Sequence, residues 1–165
     1  MNKQDIKSEV LAAIKQVANS VRNERGLPEA STEVFAEGNK LSSLELDSLE
    51  LITLVELLDR QFNFGYVEVS SIRHLTIGEL CKRVVNHYVR AEVKKKLLEL
   101  LREMDEDAEA PDDEEVVFLD WGYDSMDIEF LAFEIEQRFE IDLSDSNLHD
   151  FTFGELIDCV AEKVH

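Results

Sequence analysis

The chain has 165 residues, of which 44% are apolar, and only six glycines and two prolines. That length permits one mid-sized domain or two units of roughly 80 residues, and the low glycine and proline content argues against an all-β fold. The net charge of −20 argues against a nucleic-acid partner, since phosphate backbones select clustered Lys and Arg. Residues 1–88 hold 10 Lys and Arg against 13 Asp and Glu, whereas residues 89–165 hold 7 against 24.

Four helical segments are predicted in the first half. Apolar residues at three- and four-residue steps over 6–21 form one face of a helix that should end near Gly26. After a polar loop, a second helix is predicted up to Phe62, and a short turn follows at residues 70–74. The apolar pattern of the second helix consists of Leu49, Ile52, Leu54, Val55 and Leu58.

The fourth segment starts at Thr76, whose hydroxyl and the Glu79 carboxylate predict a capping box. From Ile77 to Met104 there is one glycine and no proline, and the apolar periodicity continues. We therefore predict one helix of about 28 residues, roughly 42 Å long, that runs from the first half into the second. A break at residues 87–91 is the alternative that propensity leaves open.

The second half repeats this plan. Residues 93–104 are predicted to belong to its first helix, and further helices are predicted over 126–139 and 153–164. Thr152 and Glu155 predict a capping box before the last of these. The plan of helices is therefore the same in both halves.

Several kinds of site are excluded. The acidic run 105–115 has Ala110 where a calcium-binding loop needs Gly and Val116 where it needs a bidentate Glu, so we expect a solvated loop. Cys81 and Cys159 have no His or second Cys at metal-ligand spacing, so we expect core thiols and no metal. No run of 18 apolar residues predicts a membrane span, and we expect a cytoplasmic chain.

The sequence contains an internal repeat. Residues 46–50 (LDSLE) recur 77 positions later as residues 123–127 (YDSMD), and residues 76–80 (TIGEL) recur 76 positions later as residues 152–156 (TFGEL). Offsets that stay constant within helices and change at loops indicate a duplicated unit. The sequence thus predicts an all-α fold of two tandem four-helix bundles, residues 1–88 and residues 89–165.

The repeated Asp-Ser pairs resemble a known attachment motif. Residues 47–49 (DSL) and 124–126 (DSM) resemble that of the acyl carrier and peptidyl carrier protein superfamily, and the likeness spans nearly the whole chain, twice. In that family the serine at the start of the second of four helices accepts 4′-phosphopantetheine from coenzyme A, through a separate transferase, and the thiol of the arm carries an acyl group as a thioester. The resemblance implies that Ser48 and Ser125 are the attachment residues.

The residues themselves admit a second interpretation, since Asp47 and Glu50 at a helix start could serve only as a capping box. The free N–H groups and dipole of a helix start would favour a phosphodiester. No His lies near either serine in the sequence to act as a base, so we interpret the serines as acceptors rather than catalysts. Gly commonly stands two residues before the Asp in the family; Gly122 matches, whereas Glu45 departs from the pattern.

The resemblance also implies partners. Family members present carboxylates on the second helix to Lys and Arg of transferases and synthases, and the alternative for each carboxylate is a solvated helix face. Such contacts steer encounter more than they add affinity, so the more acidic second unit should show the steeper salt dependence. The matching residues are Asp47, Glu50, Glu56 and Asp59 in the first unit and Asp124, Asp127, Glu134 and Glu136 in the second.

The sequence therefore predicts a monomeric, non-enzymatic tandem acyl carrier for fatty-acid-like, polyketide-like or related lipid biosynthesis. Its expected partners are a phosphopantetheinyl transferase and acyl-transfer or synthase enzymes with basic docking surfaces. One alternative is a carrier-fold interaction protein whose serines stay unmodified, and another is an aminoacyl or peptidyl carrier.

Overall fold

The protein is all-α. The computed structural model describes residues 2–65, 67–104, 114–118, 120 and 122–164, and in these residues no β-strand forms. The six helices of the described residues are α1 (Lys3–Glu24), α2 (Ser48–Phe62), α3 (Val69–Ile72), α4 (Ile77–Met104), α5 (Ser125–Phe139) and α6 (Phe153–Lys163). Short 3-10 helices lie at Thr32–Phe35, Leu41–Leu44 and Leu148–Asp150. The predicted fold class is confirmed at this level.

The chain divides into two compact units, Met1–Tyr88 and Val89–His165. Helix α4 is continuous over its 28 residues, and the division between the units falls within it. The predicted helix over Ile77–Met104 is therefore present, without a break at residues 87–91.

In the first unit, α1 begins after Asn2, whose side chain accepts the Asp5 N–H at 2.8 Å, and ends before Gly26, which has a φ of +70°. Its apolar face is buried and packs against α2. Of the apolar pattern that predicted α2, Leu49 and Ile52 are not buried, because they are 74% and 42% exposed. The buried face of α2 consists of Leu51, Leu54, Val55, Leu58 and Phe62.

The segment between α1 and α2 is more than a polar loop. Its two 3-10 helices place Phe35, Leu41 and Leu44 in the core of the first unit, and Leu46 is also buried. Apolar residues three apart share a face in a 3-10 turn, a spacing too short to stand out from a polar sequence. The loop therefore adds to the core rather than only connecting helices.

Two backbone hydrogen bonds join the same segment to the start of α4. Ile77 donates its N–H to the Asn39 carbonyl at 2.8 Å, and Gly78 donates to the Glu37 carbonyl at 2.9 Å. A Cβ at Gly78 would lie 3.1 Å from that Glu37 oxygen, closer than side chains normally approach. Glycine permits the contact.

The second unit, taken by itself, contains an equivalent pair of backbone hydrogen bonds. Phe153 donates its N–H to the Val116 carbonyl at 3.0 Å, and Gly154 donates to the Glu114 carbonyl at 2.8 Å. A Cβ at Gly154 would lie 3.2 Å from the Glu114 oxygen. The accepting carbonyls of the two units stand 77 positions apart in the sequence and the donating amides stand 76 apart, so the repeat in the sequence extends to internal contacts.

Glu114 corrects the prediction of a solvated acidic loop over 105–115. Residues 105–113 lie outside the described residues, but the Glu114 carboxylate is half-buried and accepts hydrogen bonds of 2.6 Å from both Arg90 and Lys94. Arg90 also pairs with Asp158 at 2.7 Å. The hydrogen bond from Arg90, followed by that from Lys94, holds the pKa of the Glu114 carboxyl below its usual range.

We expect Glu114→Gln to lower the free energy of unfolding by about 1 kcal/mol near neutral pH, a modest figure because both cations are more than a third exposed. Since the folded pKa of Glu114 lies below its ordinary value of 4.5, the stabilisation is complete above that value and is lost as pH falls through the folded pKa. Urea unfolding curves of the two proteins should therefore differ at neutral pH and converge in acid.

Glu162→Gln is the matched control, because it removes the same charge from an exposed position on α6. Its curves should stay close to those of the unchanged protein at both pH values. A deficit of Glu114→Gln that does not depend on pH would contradict the role given to the ion pairs.

Candidate functional site

Each of the two predicted attachment serines is the first residue of a helix. Ser48 begins α2 and Ser125 begins α5, and both side chains are exposed. Among the described residues, neither hydroxyl has a hydrogen-bond partner within the protein. Both oxygens are therefore open to an external reagent.

An aspartate fixes the start of the helix in the first unit. Asp47 is extended, with a φ of −79°, and its Oδ1 accepts the N–H of Leu49 at 2.8 Å and that of Glu50 at 3.0 Å. The Glu50 carboxylate accepts the Asp47 N–H at 2.7 Å in return. The capping box predicted for this pair is confirmed, and it places Ser48 at the outer edge of the first turn.

The second unit builds the same box with a shorter side chain. Asp124 Oδ1 accepts the N–H of Met126 at 2.8 Å and that of Asp127 at 3.0 Å. Asp127 returns the bond by accepting the Asp124 N–H at 3.0 Å. Ser125 is therefore presented in the same way as its counterpart.

The expectation of free N–H groups at these helix starts needs correction. In each unit the amides of the second and third helical residues already donate to the preceding aspartate, whose charge complements the helix dipole. A phosphodiester on either serine would lie next to carboxylates rather than in an empty anion site. The helix start therefore positions the hydroxyl more than it attracts a phosphate.

In the first unit, Arg25 holds the turn that leads to the serine. Its guanidinium donates to the Glu45 carbonyl at 3.0 Å and to both Glu50 carboxylate oxygens at 2.7 and 2.9 Å. Glu45 has a φ of +58°, a left-handed conformation that costs an L-residue about 1–2 kcal/mol. Sequence reasoning missed Arg25, because its partners stand 20 and 25 positions away and no local pattern links them.

In the second unit, Gly122 stands at the position equivalent to Glu45 and has a φ of +95°. Glycine adopts such a φ at little steric cost. Gly122, which matches the family pattern, thus stands where the backbone is left-handed. Glu45, which does not match the pattern, has the same left-handed backbone, and Arg25 donates a hydrogen bond to its carbonyl.

Six of the eight predicted partner-binding carboxylates make hydrogen bonds within their own unit. Asp59 accepts the Gly65 N–H at 2.7 Å, and Glu136 accepts the Leu143 N–H at 2.7 Å, so each holds the loop after its helix. The other four form the capping boxes: Asp47, Glu50, Asp124 and Asp127. A role in partner binding stays a prediction for these residues.

Two of the eight remain. Glu56 is exposed, and no hydrogen bond or ion pair holds it among the described residues. Glu134 is half-buried and lies close enough to Arg138 to help raise the pKa of that guanidinium, after the larger effect of Glu103. Of the four carboxylates predicted to bind partners in the first unit, Glu56 is therefore the one that has no internal partner among the described residues.

Sequence reasoning also missed an exposed apolar surface on α5. Met126, Phe130 and Phe133 are 78%, 53% and 54% exposed. They lie opposite the buried residues of the same helix, Ile128, Leu131 and Ile135. A projection of the sequence at 100° per residue would have separated the two faces.

The remaining sequence predictions concern metal ions, membrane spans and the two cysteines. In the described part of the chain, no three His, Cys, Asp or Glu side chains are grouped to hold a metal ion, and no helix has the length and apolar character that a membrane crossing requires. Cys81 is buried, as predicted, and burial raises the pKa of its thiol to about 11. The prediction of a core position is only partly right for Cys159, which is half-buried.

Comparison with known proteins adds no family to this picture. No protein-family model, no curated protein and no solved structure matches the chain. A function for the serines therefore has to be argued from the residues and their geometry.

The role of the cap can be tested with two substitutions at one position. We expect Asp47→Ala to lower the free energy of unfolding by about 1 kcal/mol, because the N–H groups of Leu49 and Glu50 lose their acceptor. Asp47→Asn keeps an oxygen acceptor and should stay close to the unchanged protein in urea unfolding. Equal losses in both variants would show that the charge of Asp47, and not its hydrogen bonds, stabilises the helix start.

Proposed function

We propose that this chain is a tandem acyl carrier protein in which Ser48 and Ser125 each carry a 4′-phosphopantetheine arm. Each unit would be an acyl-carrier-like four-helix bundle, and the chain would act as a cytoplasmic monomer in fatty-acid-like, polyketide-like or related lipid biosynthesis. It would deliver thioester-bound acyl groups to other enzymes and would catalyse no reaction itself.

The observation that carries the proposal is the repeated serine geometry. Twice, an exposed serine with no internal hydrogen bond in the described residues begins a helix directly after an aspartate cap. A single Asp-Ser pair of this kind is explained by capping alone. Capping requires the aspartate but not a serine after it, and the same exposed hydroxyl follows the aspartate both times.

Attachment of the arm requires only an accessible serine hydroxyl from the carrier. In arm transfer the serine oxygen forms a bond to phosphorus, the pyrophosphate bond of coenzyme A breaks, adenosine 3′,5′-bisphosphate leaves, and a base on the transferase takes the serine proton. The carrier has only to present the hydroxyl in a fixed place. The two capping boxes, together with Arg25 in the first unit and the Gly122 turn in the second, supply that fixed place.

Partner selection would come from charge. Glu56 in the first unit and the acidic residues of α5 in the second would be the groups that meet the Lys and Arg of a docking enzyme. Contacts of this kind raise association rates and weaken with salt. Two arms on one chain would also raise the local concentration of loaded thiols near a docked enzyme.

The second candidate is a carrier-fold interaction protein whose serines stay unmodified. It is favoured by the capping geometry, because the aspartates leave fewer free amides for a phosphodiester, and by the exposed apolar surface of α5. Aminoacyl or peptidyl carriage would use the same serines and the same arm.

Intact mass spectrometry after incubation with coenzyme A and a promiscuous phosphopantetheinyl transferase tests the proposal. We expect the unchanged chain to gain two arms, Ser48→Ala and Ser125→Ala to gain one each, and the double variant to gain none. The reason is that each arm needs its own hydroxyl.

Ser42→Ala is the matched control in the first unit, since Ser42 is also exposed and lies six residues before the attachment serine; it should gain two arms. A chain that stays unmodified would overturn the proposal and favour the interaction protein. Loss of one arm in Ser42→Ala, or retention of two arms in either single variant, would overturn the assignment of the sites.

A further inference from the structure

A cavity of about 350 Å³ lies in the first unit, between the start of α1 and the start of α4. No residue of α2 lines it, so it is separate from Ser48 and from the carboxylates predicted to bind partners. Its volume falls in the lower part of the range that small-molecule sites occupy. The cavity therefore has room for a small ligand that is unrelated to the proposed arm.

Positive charge dominates the rim of this cavity. Lys3 and Lys7 stand about one helical turn apart on α1 and are half-buried, and Lys82 lines the cavity from α4. Of the described residues that line it, only Glu37 is acidic. Three lysines against one glutamate give the lining side chains a formal charge of +2, in a chain whose net charge is −20. The cavity is thus an exception to the charge of the whole protein.

Lys82 has no partner carboxylate among the described residues. Lys7 pairs with Glu37 at 2.6 Å, whereas no hydrogen bond or ion pair holds the exposed Lys82 side chain in the part of the chain that the structure describes. An ammonium group that no carboxylate balances attracts an anion from solution. The rim is therefore suited to a negatively charged ligand.

The inner side of the cavity is apolar. Cys81 and Val85 line it and are 2% and 8% exposed. Burial raises the pKa of the Cys81 thiol to about 11, so the thiol is neutral near pH 7 and adds no charge. An anion that also has a small apolar part would fill the cavity better than a bare inorganic ion.

The second unit contains an ion pair equivalent to that of the cavity. Lys7 pairs with Glu37 in the first unit, and Arg90 pairs with Glu114 at 2.6 Å in the second. The two glutamates stand 77 positions apart, which is the offset of the repeated Asp-Ser pairs, and the two basic residues stand 83 positions apart. The same place can therefore be compared between the units.

The units differ at the position of Lys82. In the second unit, 76 positions later, this position holds Asp158, which accepts a hydrogen bond from Arg90 at 2.7 Å. Arg90 and Lys94 there meet two carboxylates, those of Glu114 and Asp158, so the charges balance. The first unit has a lysine where the second has this balancing aspartate.

We propose that the cavity of the first unit binds a small organic phosphate monoester, with its phosphate beside the three lysines of the rim and its apolar part against Cys81 and Val85. A phosphate monoester carries a charge of about −1.5 to −2 near pH 7, which matches the charge of +2 on the lining side chains. Ammonium groups bind phosphate oxygens through charge-assisted hydrogen bonds. The ligand supplies the negative charge that an aspartate supplies in the second unit.

Phenyl phosphate is the probe, because it joins a phosphate to a small apolar ring. In proton–nitrogen correlation NMR of the full chain, we expect it to shift the amides of residues 3–7 and 78–85, with a Kd of about 1 mM or lower. Lys82→Asp, which copies the second unit, should weaken binding about tenfold or more, because a repulsive charge replaces an attractive one. Lys82→Gln should give an intermediate loss.

Lys95→Asp is the matched control, because it makes the same charge change at an exposed position of α4 outside the cavity. It should bind phenyl phosphate as the unchanged chain does, and circular dichroism should show that both aspartate variants melt at similar temperatures. Phenol, which lacks the phosphate, should cause no comparable shifts. Ser48→Ala should also bind the probe normally, whatever the mass experiment shows about arms.

The inference would be overturned by equal affinity of the unchanged chain and Lys82→Asp for phenyl phosphate, or by a complete lack of shifts. An equal loss in Lys95→Asp would also overturn it, because the probe would then respond only to the net charge of the chain. If vesicles that contain phosphatidic acid bound the chain through Lys82 while phenyl phosphate did not bind, the ligand would be a membrane surface, and the inference would be wrong.

Discussion

The carboxylate that caps each serine-bearing helix is the interaction on which both candidate sites depend. The side chains of Asp47 and Asp124 each accept two backbone N–H groups within 3.0 Å. The backbone N–H of each aspartate donates in turn to the carboxylate of the residue three positions later. This reciprocal arrangement decides where the helix begins and hence where the following residue points. The aspartate is thus explained by helix formation alone, whereas the serine beside it contributes nothing to the cap.

The two units differ in the residue that forms the left-handed turn before the capped helix. In the first, a glutamate takes the left-handed conformation while Arg25 bridges its carbonyl and the capping box. In the second, Gly122 takes that conformation, and the described residues of that unit include no arginine bonded to it. A guanidinium beside one site and none described beside the other leaves the two serines in different local fields. Together with the unequal net charges, this gives two similar positions different electrostatic surroundings.

Much of the architecture could be predicted because it depends on residues that are close together in the sequence. The bounds of α2, α4 and α5 follow from apolar periodicity, and the boxes at Thr76 and Thr152 follow from residues three apart. What could not be predicted joins residues far apart in the sequence, such as Arg25 with Glu50 or Arg90 with Glu114. Periodicity was also misleading at Leu49 and Ile52, since apolar residues on a helix need not face its core.

The absence of internal bonds to the two serine hydroxyls, among the described residues, has a consequence for any chemistry they undergo. A group attached to such an oxygen displaces no hydrogen bond of the described residues, so attachment by itself removes no contact from the folded unit. A phosphodiester would bring a negative charge beside the capping carboxylates, so the occupied and vacant forms would differ in charge at the start of the helix. An enzyme that distinguishes the two forms would then recognise the attached group together with that charge.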